Sequence, residues 1–284
     1  MDAWTLFREA DDDYFTEEAL NQLVKEQDVA GIYNLAGHYY KLEHYDLALK
    51  YYEMAAELGE SNAVTYIGDI WRNGYTGTVD YEKAYLCYSS NAAHNTLSTI
   101  RIADMYRDGC YVEQNYEKYS LIIEELFERY LDGSYLYVAI PDILSRMAGI
   151  FRDWGDNAKA VFLFREAKAA SNEQMPDNPK VEDLRRMEEI VNGLYSLTDI
   201  DVDKIDLFDC YYVLKTPRTV SFFYNGMQYD VQSVINKDGI SILFGGKWYR
   251  TAEDFLRKAV IEENGIISIR NELYDFGVKE NGTR

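Results

Sequence analysis

Three arginines each stand directly after an aromatic residue: Arg72 after Trp71, Arg107 after Tyr106 and Arg152 after Phe151. A guanidinium pairs with a carboxylate through two parallel hydrogen bonds, so a row of such groups is suited to an acidic peptide segment. Other chemistry is thinly supplied. The histidines are His38, His44 and His94, and no CxxC, HxH or HExxH spacing accompanies them, so the sequence offers no metal site. No GxSxG occurs, and neither Cys87, Cys110 nor Cys210 sits with a histidine in a nucleophile motif. Acid pairs such as Glu124-Glu125 and Glu262-Glu263 are adjacent, hence about 100° apart on a helix, and read as solvated faces rather than an acid–base dyad. Gly245-Gly246 precedes a strand pattern and lacks the helix dipole that makes a phosphate loop. No cofactor is implied, and the chain does not read as an enzyme. The weaker enzymatic reading would place a site near Tyr224, Tyr229, Lys247 or Tyr249.

The elements that must position the arginines repeat. A small residue preceded by a large aliphatic recurs at Ala36, Gly68, Ala103 and Ala148, and an aromatic follows three residues later at Tyr39, Trp71, Tyr106 and Phe151. A turn and a second helical pattern come next, with Ala48, Ala84 and Ala160 small, and Tyr52, Tyr88 and Phe164 four residues on along the same face. The physical reason is helix–helix contact: a small residue lets the second helix approach, and the ring fills the adjacent groove.

These units resemble tetratricopeptide-class repeats over roughly residues 29–170, and the second and third resemble the Sel-one-like subclass. That subclass has a longer inter-helix loop with a glycine, then a hydrophobic residue, then an acidic or amide residue. GYTGTVDYEKA (74–84) has this form through Gly74, Val79, Asp80, Lys83 and Ala84, and GCYVEQNYEKY (109–119) departs from it at Tyr119. The resemblance implies an α-solenoid that binds other proteins and implies no reaction. It also implies that the first helices line a concave groove, faced by the residue after each packing aromatic. Those residues are Tyr40, Arg72, Arg107 and Arg152, with Lys41, Asp69 and Asp104 close by and Tyr33 and Tyr66 within reach. Against this stands a plainer arrangement, in which Asp69-Arg72 and Asp104-Arg107 satisfy each other as i, i+3 pairs.

Residues 1–28 read as N-terminal capping helices, with Thr16 as an N-cap. Residues 178–196 read as a helix closing the repeat domain, which is thereby expected over 29–200. The C-terminal segment, 201–284, changes character to a small α+β module. Asn225-Gly226 signals a type I′ hairpin, Lys237-Asp238-Gly239 and Gly245-Gly246 further turns, Thr251 a helix cap and GIISI (265–269) a final strand.

Charge follows the same division. The chain of 284 residues has 29 basic and 49 acidic side chains and a net charge of −20, yet residues 203–284 are nearly balanced. Such an acidic chain is not expected to bind nucleic acid or an anionic membrane surface. No apolar run reaches membrane-spanning length, the start carries no secretory pattern, and three widely spaced cysteines suit a reducing, cytoplasmic setting.

The sequence therefore predicts a mainly α protein: an α-solenoid of about four helical hairpins followed by a small α+β module. The expected function is a non-catalytic scaffold or adaptor holding a peptide or protein segment in the groove of the repeats. The alternative is an acidic immunity or inhibitor protein that neutralises a basic partner, such as a toxin or nucleic-acid enzyme.

Overall fold

The computed structural model describes residues 22, 24–134, 137–201, 204–237 and 239–281. Most of the expected capping segment, with Thr16, lies outside them. The chain divides into two compact units, Met1–Asp132 and Gly133–Arg284.

Among the described residues the first unit holds three helical hairpins: α1 (Val29–Lys41) with α2 (Tyr45–Glu57), α3 (Ser61–Asn73) with α4 (Tyr81–Asn91), and α5 (Thr96–Asp108) with α6 (Tyr116–Leu131). The expected small residues make the hairpins close. Ala36, Ala48, Ala84 and Ala103 are fully buried. A Cβ added at Gly68 would lie 2.5 Å from Tyr88 Cε1, so only glycine admits that ring. Side chains at the helix starts supply acceptors for amide groups that have no partner inside the helix. Asp80 accepts from the Lys83 amide and Asn115 from the Lys118 amide. The same lysines then lay their ammonium groups over the preceding helix: Lys83 Nζ is 4.0 Å from the Trp71 ring centre, and Lys118 Nζ 4.9 Å from that of Tyr106. Gly74 and Gly109 end α3 and α5 in the left-handed conformation the longer loops require.

The second unit contains the fourth hairpin, α7 (Ile140–Asp153) with α8 (Asn157–Gln174), then α9 (Val181–Tyr195) and a short α10 (Cys210–Val213). The cap–cation arrangement recurs here, with Asp156 accepting from the Lys159 amide and Lys159 Nζ 4.9 Å from the Phe151 ring centre. Gly193 on α9 makes room for Phe164 of α8. Five antiparallel strands follow in the order β4-β3-β2-β1-β7. They are β1 (Arg218–Tyr224), β2 (Met227–Asn236), β3 (Gly239–Phe244), β4 (Lys247–Tyr249) and β7 (Tyr274–Glu280). The β1–β2 turn is the expected one: Tyr224 faces Met227, and Asn225 and Gly226 both have positive φ. Thr251 accepts from the Asp254 amide and starts α11 (Ala252–Lys258), whose Phe255 packs on Phe244 and Tyr249.

The expected final strand at 265–269 is not there. Only Asn264–Gly265 (β6) pairs, with Val260–Ile261 (β5). Ile266, Ile267 and Ile269 are all buried in turns, where alternation is not needed, and the Gly265 carbonyl accepts from both Ser268 N and Ser268 Oγ. The last strand is β7, which pairs with β1.

The expected boundary at residues 200/201 falls inside the second unit, and one core runs across it: Leu184, Met187 and Val191 of α9 join Leu207, Phe208, Val220, Phe222 and Phe244. Two polar ties reinforce it. Arg270 donates to the Met175 carbonyl at 2.7 Å and to Asn172 Oδ1 at 3.0 Å at the end of α8. Lys168 of α8 meets Asp209 at 2.7 Å and Asp206 at 2.9 Å, and the Tyr195 hydroxyl donates to Asp209 at 2.9 Å. Burial and the neighbouring Asp206 raise the Asp209 pKa. For Lys168 burial acts downward, but Asp206 and Asp209 outweigh it and the pKa is raised. Among the described residues, no helix is long and apolar enough to cross a membrane.

Candidate functional site

The stacking of α3 and α5 decides what the candidate arginines can do. Residues about 35 apart in sequence come side by side, because each hairpin presents its first helix to the next. Arg72, at the end of α3, reaches across to α5: it lies 3.1 Å from Asp108 Oδ2 and 3.7 Å from Asp104 Oδ2. Arg107 of α5 holds the same two carboxylates, 2.7 Å from Asp108 Oδ1 and 3.3 Å from Asp104 Oδ1. Asp104 is buried beneath the pair, while Asp108 is exposed to solvent.

The i, i+3 pairing expected from sequence thus holds for Asp104 and Arg107 only. Asp69 turns inward instead. Its Oδ1 accepts from the Tyr88 hydroxyl at 2.7 Å and from Arg101 Nε at 3.1 Å. Burial, reinforced by the Asp69 charge, holds the Tyr88 hydroxyl protonated well above the ordinary tyrosine range. Asp69 is therefore an inter-repeat strut and not a groove-lining group. Arg101 was not singled out by sequence. Its partner lies 32 residues away, and no spacing rule for a single helix pairs them.

A buried polar seam accompanies the strut. The Thr65 and Ser98 hydroxyls are 2.8 Å apart, and Asn91 Nδ2 donates to the Ser61 carbonyl at 2.8 Å and to Thr65 Oγ1 at 3.1 Å. It ties α3, α4 and α5 together, and a slip of one helix would leave several buried polar groups unmatched.

The remaining candidates fall elsewhere. Tyr40 is 2 % exposed and cannot line a surface. Its ring meets Tyr45, Tyr52, Tyr66 and Tyr75 at centroid distances of 5.3 to 6.2 Å. Tyrosine after the packing aromatic is large and apolar enough to be drawn into the core, where arginine at the equivalent position stays out. Tyr33 is half-buried, 5.7 Å from Tyr52 and 6.1 Å from Tyr66. Lys41 is the half-buried last residue of α1. Arg152 belongs to the second unit, where its Nε lies 3.2 Å from Asp153. The first unit thus brings Arg72 and Arg107 together on shared carboxylates.

Tyr224 and Tyr249 of the C-terminal module are buried, with Tyr229 half-buried and Lys247 exposed. These positions serve sheet packing: Tyr229 lies 6.0 Å from Phe222, and Tyr249 5.7 Å from Phe255. Among the described residues no group of three or more histidine, cysteine or acidic side chains is placed to hold a metal ion. The three cysteines are free.

No family model matches the chain, and no curated protein does. Among solved structures it is similar to a Sel1 repeat protein from Oxalobacter formigenes, at 14% identity and a TM-score of 0.43, over 69% of this chain and 86% of that one. It is also similar to a protective antigen present in uropathogenic Escherichia coli strains, displaying an SLR fold, at 15% identity and a TM-score of 0.41. That likeness covers 63% of this chain and 43% of the antigen chain.

Proposed function

We propose that the chain is a non-catalytic protein-interaction scaffold, and that the first-helix face of α3 and α5 takes a carboxylate-bearing protein segment. One observation carries the reading: Arg72 and Arg107, from consecutive repeats, converge on the solvent-open carboxylate of Asp108. The two guanidinium groups are thereby held ready for a carboxylate, with Asp108 occupying the place an incoming Asp, Glu or C-terminal group would take. Asp104 stays beneath as a buried counter-charge that fixes both arginines. Exposed ion pairs contribute about 0–1 kcal/mol, so exchanging Asp108 for a ligand carboxylate costs little. Bidentate pairing supplies direction and selects carboxylate over neutral partners.

The test is selection from a labelled peptide library by the full chain and by the double reversal Arg72→Glu/Arg107→Glu. The intact chain is expected to enrich acidic sequences, with a modest dependence on salt, and the reversal to lose them. Equal enrichment by both proteins would sink the reading.

A further inference from the structure

The second helices carry a pattern that the Arg72–Arg107 pair leaves unused. Leu86 of α4 and Leu121 of α6 each stand six residues after their N-caps, Asp80 and Asn115, and both are 58% exposed. Single exposed leucines are ordinary. Here the same register recurs in consecutive repeats, and each leucine follows an exposed glutamate, Glu82 or Glu117, by four residues. Carboxylate and apolar group therefore share one helix face, a turn apart.

The loop between α5 and α6 joins the two helices. Tyr111 donates to Glu82 Oε1 at 3.2 Å, and its ring packs 5.4 Å from that of Tyr85 on α4. It does so at φ +66°, a left-handed conformation that side chains other than glycine rarely adopt, while half of its surface stays open to solvent. Across residues 79–86 and 111–125, six carboxylates stand against two lysines. Lys83 lies between Asp80, at 3.5 Å, and the Trp71 ring, and Lys118 is drawn onto Tyr106, so Glu82 and Glu117 keep their charge toward solvent.

We infer that this surface, centred on Leu86, Tyr111 and Leu121, is a docking site for a basic amphipathic segment of another protein. Its aliphatic side chains would cover the apolar row and its lysines or arginines would meet Glu82 and Glu117. Charge complementarity selects that occupant: an acidic segment meets repulsion, and a second copy of this chain brings a net charge of −20 of its own. The inference stands apart from the Arg72–Arg107 reading and survives its failure.

The probe is a fluorescent amphipathic peptide of lysine and leucine, followed by anisotropy on the full-length chain. Three variants accompany it, each checked for an unchanged circular dichroism spectrum: Glu82→Lys/Glu117→Lys, Leu86→Ser/Leu121→Ser, and a charge-matched control at exposed glutamates, Glu166→Lys/Glu173→Lys, on α8. The first two are expected to weaken binding about tenfold or more, and the control less than about threefold. Arg72→Glu/Arg107→Glu is expected to leave the peptide's affinity unlowered. The inference is overturned if the intact chain fails to bind the peptide, if the control loses as much as Glu82→Lys/Glu117→Lys, or if removing the leucines changes nothing.

Discussion

Tyr211→Phe isolates one buried hydroxyl and is expected to stabilise the second unit. Tyr211 is 2% exposed, and its hydroxyl has no hydrogen-bond partner among the described residues. A buried, unmatched hydroxyl costs about 1–3 kcal/mol, and phenylalanine keeps the ring and its contacts. The variant should therefore gain about 1 kcal/mol at neutral pH. Its pH dependence adds a second signature. Burial, then the charges of Glu253 and Glu188, raise the Tyr211 pKa above its ordinary 10.0. A group whose folded pKa is raised binds more protons in the folded state, so its contribution is intact below pH 10 and lost as pH climbs beyond it. At pH 11 the unfolded tyrosine is one unit past its pKa, which favours unfolding of the parent chain by about 1.4 kcal/mol. Phenylalanine removes that loss. Urea midpoints followed by circular dichroism at pH 7 and pH 11 should show the variant ahead at both, with the gap about 1.4 kcal/mol wider at the higher value. A variant less stable than the parent at pH 7 would show that the hydroxyl does have a partner. A gap that does not widen would show that Tyr211 ionises in the folded chain.

Gly68→Ala should cost the first unit about 1–3 kcal/mol, since the new methyl group meets the Tyr88 ring, and a lowered thermal midpoint reads it directly. Lys168→Met leaves the Asp209 carboxylate buried with its counter-charge gone, and a loss of about 3 kcal/mol is expected in urea titration at pH 7. Protonating Asp209 restores part of that, so the deficit should shrink as the titration is moved to lower pH. Asp108→Asn removes the charge that competes for Arg72 and Arg107, and should tighten the binding of acidic peptides several-fold if those arginines receive a carboxylate.

Local physics was written in the sequence. The alternation of small residue and aromatic announced the helical hairpins, because a small residue such as Gly68 lets a ring such as Tyr88 close the contact. Asp80 and Thr251 marked helix starts through the hydrogen bond each side chain accepts from the backbone amide three residues on. Asn225-Gly226 fixed a hairpin because both residues tolerate positive φ.

Where the sequence misled, the missing quantity was non-local. The isoleucines of 265–269 satisfy a strand's composition, yet the core takes all three from turns. Strand β7 carries Gly277, which a strand interior disfavours, and it forms because β1 offers it an edge. The arginine positions were legible as a spacing, but their partners were not. Whether Asp69 meets Arg72 or Arg101, and whether Tyr40 lines a surface or fills a core, depends on how neighbouring helices stack. Stacking is set by packing summed over a whole helix face, so no single residue spacing encodes it.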